Sequence, residues 1–422
     1  MKKNRINKEP KKSSSILSRR SAIQSVLGLA GTGFLLPLSS YAEQPAYSPT
    51  KYGEVKITRL ETFLVKPRWI FLKIHTDAGV VGLGEPLLEG RALTIQTAIQ
   101  EIEPYLIGKD PRQVVHHWQA IYRHAFYRGG PILTSALSGI DQALWDIKGK
   151  LLGVPVYELF GGPTRDRVRI YGRASNAEDM KKRKQEGYSV IKTGVAKKKP
   201  AGIVENMAFI QHAADTFGSL REAGGPEMDI GIDFHGAISP QTAKLLIKEL
   251  EQYQPMFIEE PCQAQNVDVM VDIARGTHLP IATGERIFTK WGFREILEKG
   301  AASILQPDIC HAGGLTECRL IAGMAEAYYA AIAPHNPMGP ISLACGLHLA
   351  ASIPNFLVQE QVSLGDGYLK NPFKLQADGS VMIPQGPGLG VELDEDALAD
   401  KIGHDWKNPE SYDSFDGSVV DW

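Results

Sequence analysis

The chain has 422 residues, a formal net charge of −2 at pH 7, 43% hydrophobic residues and 22% charged residues. This balance excludes a disordered chain, a collagen and a coiled coil, and the lack of a basic excess argues against a nucleic-acid partner. The length favours two or three domains, or one large α/β barrel with an appended domain. The four cysteines form no C-x-x-C pair, so the sequence predicts neither a zinc knuckle nor a disulfide framework.

Residues 1–42 have the pattern of an export signal. The first 20 residues contain eight lysines and arginines and one acid, then an apolar stretch follows, and small residues lead up to Ala42. Arg19 and Arg20 resemble the pair of a twin-arginine signal, although Ala22 stands near the position where phenylalanine is usual. We therefore expect a periplasmic protein with no membrane contact once the signal is removed. An ordinary secretory signal or an uncleaved anchor is the alternative.

The next segment predicts a small α+β domain over residues 51–165. Apolar and polar residues alternate over 55–66 and 70–76, which is the pattern of half-buried β-strands. Three helical stretches follow, and the third of them, 135–152, carries its apolar residues on one face. A sheet followed by a group of helices is typical of an α+β domain.

Residues 166–361 show a different rhythm, in which short apolar strands alternate with helices. Eight β/α units of this length are typical of a TIM barrel. The expected strands span 168–172, 189–193, 228–235, 256–259, 281–284, 303–307, 330–333 and 356–359. The remaining residues, 362–422, are rich in loops and are expected to pack back on the parts already formed.

Polar residues follow the ends of these strands, and the catalytic residues of barrel enzymes lie at that edge of the barrel. They are Lys192, Asp233, His235, Glu259, Glu260, Glu285, Asp308, His335 and Glu360. Positions 233, 259 and 285 are 26 residues apart, which is one β/α unit. The carboxylates at these positions should therefore converge at the barrel mouth.

Three clustered carboxylates repel one another unless a cation lies among them. Oxygen ligands that leave room for water and substrate suit Mg²⁺, whereas a trio without cysteine or histidine argues against zinc. Strand alternation places Asp233 and His235 on the same side. It places Glu259 and Glu260 on opposite sides, so only one of these two can bind the metal. The alternative is that each acid pairs with a lysine of a neighbouring helix and has a structural role.

Several short motifs together resemble one known family. They are Pro67-Arg68-Trp69, Phe126-Tyr127-Arg128-Gly129-Gly130-Pro131, Asp233-Phe234-His235-Gly236, Ile258-Glu259-Glu260-Pro261, Gly284-Glu285-Arg286, Gln306-Pro307-Asp308, His311-Ala312-Gly313-Gly314 and Pro334-His335. This layout resembles the enolase superfamily, mandelate racemase subgroup, and within it the galactonate dehydratase family. The resemblance implies a modified TIM barrel, (β/α)7β, in the α/β class. An α+β capping domain and a carboxy-terminal segment that completes the cap are also implied.

The resemblance further implies roles for individual residues. Asp233, Glu259 and Glu285 would bind Mg²⁺, with the first glutamate of the Glu-Glu pair chosen by its place in the motif. Asp308 and His335 would form the dyad that removes the proton next to the substrate carboxylate. A carboxylate bound to one imidazole nitrogen fixes the tautomer and raises the basicity of the other nitrogen.

Four more residues are assigned to the substrate side of the site. Glu360 matches the electrophile that stabilises the enediolate, for which its carboxyl group would have to be protonated. Lys192, Arg68 and Trp69 are expected to contact the substrate. Arg68 and Trp69 lie in a motif that carries the resemblance, whereas Lys192 and Glu360 lie at the ends of two predicted strands.

The second proton-transfer group decides between the reactions of the superfamily. A racemase commonly carries a lysine two residues beyond Lys192, but Gly194 occupies that position. His235 can instead act as the general acid that protonates the 3-hydroxyl as it leaves, which yields a 2-keto-3-deoxy acid. The alternative for His235 is to orient Asp233, or to donate a hydrogen bond to a substrate hydroxyl without acting as an acid.

We therefore predict an Mg²⁺-dependent acid-sugar dehydratase, a carbon–oxygen lyase that acts on a small sugar acid and assembles as a homo-oligomer. Ala237 stands where an arginine is usual, and Lys197–Lys199 form an unusual basic run, so the sugar acid and its stereochemistry stay open. Two alternatives remain. One is a related lyase or cycloisomerase of an anhydro sugar acid, and the other is a non-catalytic periplasmic protein that binds sugar acids.

Overall fold

The computed structural model describes residues 53–195, 205–413 and 415–421. The predicted export signal and the Lys197–Lys199 run lie outside these ranges, so both stay predictions. Within the described ranges, no helix is long and apolar enough to cross a membrane.

The amino-terminal part is a three-stranded antiparallel sheet packed against helices. The strands, in sheet order, are β1 (Ile57–Val65), β2 (Trp69–Thr76) and β3 (Val81–Gly84), and the helices are α1 (Ala92–Leu106), α2 (Val114–His124), α3 (Pro131–Leu152) and α4 (Val156–Leu159). The register pairs Leu60 with Ile74, and both side chains are buried. The cap therefore has the α+β character that the alternating sequence predicts.

Strand β3 and helix α3 approach each other closely because glycines occupy the contact. A Cβ atom on Gly82 would lie 2.2 Å from the carbonyl oxygen of Ala143, and one on Gly84 would lie 2.1 Å from that of Gly139. Helix α3 ends at Gly153, whose φ of 73° is adopted at low cost only by glycine. Larger residues at the two strand positions would push the helix away from the sheet.

The following part alternates strands and helices. In chain order it contains β4 (Arg167–Arg169), β5 (Gly172–Arg173), α5 (Ala177–Gln185), β6 (Val190–Gly194), α6 (Met207–Gly224), β7 (Asp229–Asp233), α7 (Pro240–Leu250), a 3₁₀ turn (Glu251–Tyr253), β8 (Phe257–Glu259), α8 (Val267–Arg275), β9 (Ile281–Thr283), α9 (Thr289–Lys299), β10 (Ile304–Leu305), α10 (Gly314–Ala327), β11 (Ala331–Ile332) and α11 (Pro340–Ser352). Strands β5 to β11 form one parallel sheet in sequential order. This sheet is the wall of the predicted modified barrel.

Two isolated β-bridges, and no eighth strand, close the barrel in the described part of the chain. Ile332 of β11 pairs in parallel with Phe356, and Gln359 pairs in parallel with Ile170. The segment between Phe356 and Gln359 thus fills the eighth position with too few paired residues to count as a strand.

Two of the predicted strands depart from the observed bounds for reasons that the structure shows. The first, 168–172, is divided, because β4 pairs antiparallel with β12 (Ser380–Met382) of the carboxy-terminal segment and leaves the barrel sheet to β5. The third, 228–235, is too long, because β7 ends at Asp233. His235 has a φ of 58°, in the left-handed region that no β-strand uses.

The carboxy-terminal segment returns to the cap. It contains β12, the short helix α12 (Glu395–Leu398) and a 3₁₀ turn (Ala399–Lys401). Ile402 forms a bridge with Val65 at the end of β1, and the Gly403 N–H donates to the Leu64 carbonyl over 2.7 Å. These contacts place the segment against the cap sheet.

Two buried acids of the cap bind the first turns of barrel helices. The Glu85 carboxylate, just after β3, accepts the N–H of Gly339 over 2.6 Å and that of Ser342 over 3.0 Å at the start of α11. Asp141 in α3 accepts the Thr316 N–H over 2.9 Å in the first turn of α10. The first turn of a helix leaves N–H donors without partners, so these carboxylates satisfy them from another domain. The cap is thereby joined to the helices that follow β10 and β11.

Candidate active site

A cavity of about 900 Å³ lies between the cap and the carboxyl ends of the barrel strands. The cap contributes Arg68, Leu88 and Glu89 to its wall. Charged residues of the barrel that line it are Arg173, Lys192, Asp233, His235, Glu285, Arg286, His311 and His335. Most of the predicted strand-end residues therefore meet at one place.

Asp233, His235 and Glu285 form a compact cluster. One ligand atom of each lies within 4.8 Å of those of the other two, and His235 Nε2 is 3.4 Å from Glu285 Oε1. Strand alternation does not explain the position of His235, because β7 ends at Asp233. His235 lies in a left-handed turn instead, in which its N–H donates to Asp233 Oδ1 over 2.7 Å. This turn still brings the imidazole to the predicted side.

Lys192 lies at the centre of a buried group of carboxylates. Its Nζ is 2.9 Å from Glu259 Oε1, 3.2 Å from Glu360 Oε1 and 3.6 Å from Asp233 Oδ2. Burial and the neighbouring Asp233 raise the pKa of Glu259 to about 8. Glu259 is thus bound to Lys192, and it lies outside the compact cluster that Asp233 forms with Glu285.

Two buried carboxylate oxygens of this region have no hydrogen-bond partner among the described residues. They are Oε2 of Glu259 and Oε2 of Glu285, of which the latter lies 3.3 Å from His335 Nε2 without forming a hydrogen bond. A buried carboxylate oxygen without a partner is unfavourable, and a bound cation would compensate it. Together with Asp233 they offer the hard oxygen donors that a divalent cation such as Mg²⁺ prefers, so the residues present fit the predicted metal.

Glu260 points to a different partner from Glu259. Its carboxylate accepts two hydrogen bonds from the Arg286 guanidinium, from Nε over 2.9 Å and from Nη2 over 2.6 Å. Glu260 has a φ of 41°, so the chain changes direction directly after β8. The two glutamates diverge, as predicted, but the sharp change of direction contributes to this as well as the alternation of a strand.

Asp308 and His335 lie together as a pair. His335 Nδ1 is 2.7 Å from Asp308 Oδ2, and its other nitrogen, Nε2, is 3.3 Å from Glu285 Oε2 at the cavity. Burial opposes protonation of the ring, but Glu285 and Glu360 outweigh it and raise the pKa of His335 well above its ordinary value. A cation bound by Glu285 would cancel part of this increase in the pKa of His335. It would thereby favour the neutral ring, whose Nε2 can accept a proton.

Glu360 lies in surroundings that keep it ionised. Its Oε1 accepts from Arg173 Nη2 over 2.7 Å, and its Oε2 accepts the Asn336 N–H over 2.9 Å. Burial alone would raise the pKa of Glu360, but Lys192, His335 and Arg173 lower it well below its ordinary value. In this arrangement Glu360 accepts hydrogen bonds on both oxygens, so its role as a protonated donor stays a prediction. At this side of the site, Lys192 and Arg173 are the groups that can stabilise negative charge.

Comparison with known proteins decides the family. Residues 57–161 match the model of the mandelate racemase / muconate lactonizing enzyme N-terminal domain, and residues 174–397 match the model of an enolase C-terminal domain-like region. The chain belongs to the mandelate racemase subgroup of the enolase superfamily. The family resemblance and the predicted fold class are both confirmed.

Several known proteins are similar to this chain over most of its length. The D-galactonate dehydratase of Ralstonia pickettii (strain 12J) is 47% identical over 386 residues, which are 87% of this chain and 100% of the relative. That of Ralstonia nicotianae (strain ATCC BAA-1114 / GMI1000) is 46% identical over 385 residues, with the same coverage. An enolase from Agrobacterium radiobacter, solved with sodium and L-malate bound, has a TM-score of 0.81 at 30% identity and covers 86% of this chain and 99% of its own.

Of the three predicted substrate contacts in this superfamily member, two reach the cavity and Trp69 does not. Trp69 begins β2 and is buried, with its ring centroid 4.8 Å from that of Tyr368. Its side chain is enclosed in the cap and does not line the cavity, so the structure gives no support to a substrate contact by Trp69. Arg68 lines the cavity, with Nη2 3.6 Å from the Glu89 carboxylate, and Lys192 lines it from the barrel.

Sequence reasoning missed Arg173, Glu89 and His311. Arg173 ends β5, so the rule that strand ends carry the site predicts it once that rule is applied to the first barrel strand. His311 Nε2 lies 3.5 Å from Glu89 Oε2 and 3.7 Å from Asp308 Oδ2. This contact joins the cap to the barrel, and no spacing along the chain indicates it.

Proposed function

We propose that the protein is an Mg²⁺-dependent acid-sugar dehydratase that acts on galactonate or a closely related sugar acid. It removes the proton from C2, next to the carboxylate, and expels the 3-hydroxyl as water. The resulting enol tautomerises to a 2-keto-3-deoxy acid. The broader prediction, a hydro-lyase of acid sugars, is confirmed by the two D-galactonate dehydratases that are 47% and 46% identical to this chain.

One observation carries the proposed mechanism: two histidines flank the same carboxylate. His335 Nε2 lies 3.3 Å from Glu285 Oε2, and His235 Nε2 lies 3.4 Å from Glu285 Oε1. A substrate bound next to Glu285 would therefore meet an imidazole on each side. β-Elimination needs a base at one carbon and an acid at the oxygen of the next, and this pair supplies both.

His335 is the base in this mechanism. Asp308 holds Nδ1, so the neutral ring presents Nε2 to the cavity, where it accepts the C2 proton. The electron pair left on C2 delocalises into the substrate carboxylate as an enediolate. Lys192 and Arg173 line the cavity, and their positive charges stabilise the charge that develops there.

His235 is the acid. Its hydrogen bond to Glu285 and the charge of Asp233 raise the pKa of His235 to about 9, and Glu260, which is not a predicted metal ligand, acts in the same direction and favours the doubly protonated ring. That proton passes to the 3-hydroxyl as the C3–O bond breaks, and the enediolate electron pair forms the C2–C3 double bond. The ring is half-buried and regains its proton from solvent.

Asp233, Glu259 and Glu285 are the residues that would hold the metal. A bound Mg²⁺ would supply Lewis-acid stabilisation of the enediolate charge. The two carboxylate oxygens without hydrogen-bond partners support this assignment. Gly194 lines the cavity without a side chain, which favours elimination over racemisation because no second base stands there.

We also infer that the enzyme works in the periplasm and as a homo-oligomer. The first inference rests on the basic, apolar and small-residue pattern of residues 1–42. Cell fractionation of the full chain, beside a variant with Arg19 and Arg20 replaced by lysine, tests the export route. Retention of the variant in the cytoplasm is the expected result.

A substrate screen tests the proposed activity. The mature protein is incubated with Mg²⁺ and a panel of diastereomeric aldonates, aldarates and anhydro sugar acids, and 2-keto acid is measured. We expect one aldonate, galactonate or a diastereomer, to be converted. Formation of an isomer without a 2-keto-3-deoxy product would favour the cycloisomerase, and no conversion of any acid sugar would contradict the proposal.

A further inference from the structure

The His235–Gly236 turn has a conformation that needs outside support. Both residues have positive φ, 58° for His235 and 56° for Gly236. A residue with a bulky side chain occupies this left-handed region only where its surroundings determine it. The His235 N–H donates to Asp233 Oδ1 over 2.7 Å, which fixes the beginning of the turn.

The other backbone groups of the turn are also bonded. Arg286 Nη2 donates to the His235 carbonyl over 3.0 Å, and Gln263 Nε2 donates to the Gly236 carbonyl over 2.9 Å. The Gly236 N–H donates to the Glu260 carbonyl over 2.8 Å. Both N–H groups and both carbonyls are thus satisfied, and loss of a donor would release the turn.

Glu260 determines where the Arg286 donors lie. Its buried carboxylate accepts from Nε and Nη2 of Arg286 over 2.9 and 2.6 Å, and Nη1 donates to Gln263 Oε1 over 2.8 Å. A guanidinium presents its donors in a rigid fork, so a carboxylate that binds two of them also orients the rest. The fit against the turn is close, because a Cβ atom on Gly236 would lie 2.5 Å from Nη2.

We propose that the Glu260–Arg286 pair positions the general acid, by holding the His235 turn so that the imidazole stays beside the leaving hydroxyl. This inference rests on the proposed function, in which His235 is the acid. It gives a role to the second glutamate of the Glu-Glu motif, which the metal site does not use. Among the described residues, no hydrogen bond of the pair reaches Asp308 or His335, so we expect the pair to affect the acid step more than the base step.

The Glu260→Gln and Arg286→Lys variants test this role through two rates. One is the exchange of the substrate C2 proton with D₂O, which needs only the base, and the other is the formation of 2-keto acid, which also needs the acid. Glutamine presents an N–H group to one branch of the guanidinium, so the paired bonds cannot both form. We expect dehydration to fall by about 10- to 100-fold, less than the ~10²–10⁴-fold of general acid catalysis because the imidazole is displaced and not removed, while exchange changes by less than about threefold.

A double variant and a matched control separate positioning from general damage. Adding Glu260→Gln to His235→Asn should cause no further loss of dehydration, because the group that the pair positions is already absent. The control is Glu317→Gln, which removes another buried carboxylate, one that binds Lys290 Nζ over 2.9 Å away from the turn. That variant should keep the ratio of exchange to dehydration of the parent enzyme.

Two results would overturn the inference. One is an equal fall of exchange and dehydration in Glu260→Gln, and the other is a full additional loss in the double variant. If the parent enzyme converts no acid sugar, the proposed function fails by itself, and the positioning is then decided by crystal structures of the parent and of Glu260→Gln. A His235 turn that leaves the left-handed region in the variant supports positioning, and an unchanged turn contradicts it.

Discussion

The two sides of the cavity hold their histidines in different ways. On the side of the proposed base, called the base side, the His335 side chain is 8% exposed, and Asp308 binds its ring directly over 2.7 Å. On the side of the proposed acid, called the acid side, the His235 side chain is 44% exposed, and Arg286 binds its backbone carbonyl. A base that takes a proton from carbon needs a fixed and desolvated nitrogen. An acid that regains its proton from water needs access to solvent. The contact of Arg286 with the His235 backbone leaves the ring accessible.

The anchors of the two sides also come from different parts of the molecule. The base side depends on the cap, because Glu85 binds the first turn of α11, the helix that follows His335. The acid side depends on the barrel itself, through Glu260 and Arg286. Damage to one anchor should therefore affect one proton transfer more than the other, and damage to the shared carboxylates should affect both.

Removal of the metal should have the largest effect because its predicted ligands lie between the two sides. Exhaustive chelation is expected to abolish both C2-proton exchange and dehydration, and added Mg²⁺ should restore both. The measurement is NMR in D₂O together with 2-keto acid formation, before and after chelation. Full activity of a sample shown by elemental analysis to be free of metal would contradict the metal assignment.

Replacement of the base should come next. His335→Asn removes the nitrogen that accepts the C2 proton, so we expect exchange and dehydration to fall together by about 10⁴-fold. Single-turnover kinetics and loss of the C2 signal in D₂O report the two rates. Survival of either activity at near-parent level would mean that another group on that side is the base.

The two adjacent glutamates provide a matched pair. Glu259→Gln changes a predicted metal ligand, so it should reduce exchange and dehydration alike by about 10²-fold or more and weaken Mg²⁺ binding. Glu260→Gln should leave Mg²⁺ binding and exchange nearly unchanged and reduce dehydration only. Calorimetric titration with Mg²⁺ checks the difference. Equal weakening of Mg²⁺ binding in both variants would mean that the wrong glutamate has been chosen.

The smallest effect on the reaction is expected for the cap anchor, which should change the stability of the fold. Burial raises the pKa of Glu85 from its ordinary 4.5 to about 8, so the folded protein keeps a proton that the unfolded chain releases. Stability from this group is complete below about pH 4.5 and falls as the pH rises to about 8, by at most about 1.4 kcal/mol per pH unit. Glu85→Gln cannot titrate at this position. In urea unfolding from about pH 5 to about pH 8, the parent should therefore lose stability relative to the variant. A difference that is independent of pH would contradict this.

The fold and much of the site could be predicted because both follow from strand ends. Eight short apolar segments at regular intervals predict a barrel, and Asp233, Glu285 and His335 follow three of them and line one cavity. The rule failed where the chain departs from regular strands. His235 and Glu260 occupy left-handed turns, and pairing of β4 with β12, a contact between distant parts of the sequence, divided the first strand.

Two predictions about individual side chains do not match the surroundings that the structure gives them. Whether Glu360 is ionised depends on the cations around it, and Arg173 and Lys192 approach it only in the folded protein. Trp69 and Arg68 are neighbours in sequence, yet one is buried in the cap and the other lines the cavity. Motifs predict which residues gather at a site, whereas charge state and side-chain direction depend on the packing around them.

The most direct test of the two-sided site is the C2-proton exchange of His235→Asn, measured by NMR in D₂O over long incubations beside His335→Asn. With His335 intact, the His235 variant should still exchange the proton while its dehydration falls by about 10²- to 10⁴-fold. The His335 variant should lose both. Exchange by the His335 variant together with no exchange by the His235 variant would show that the base and the acid are on the opposite sides.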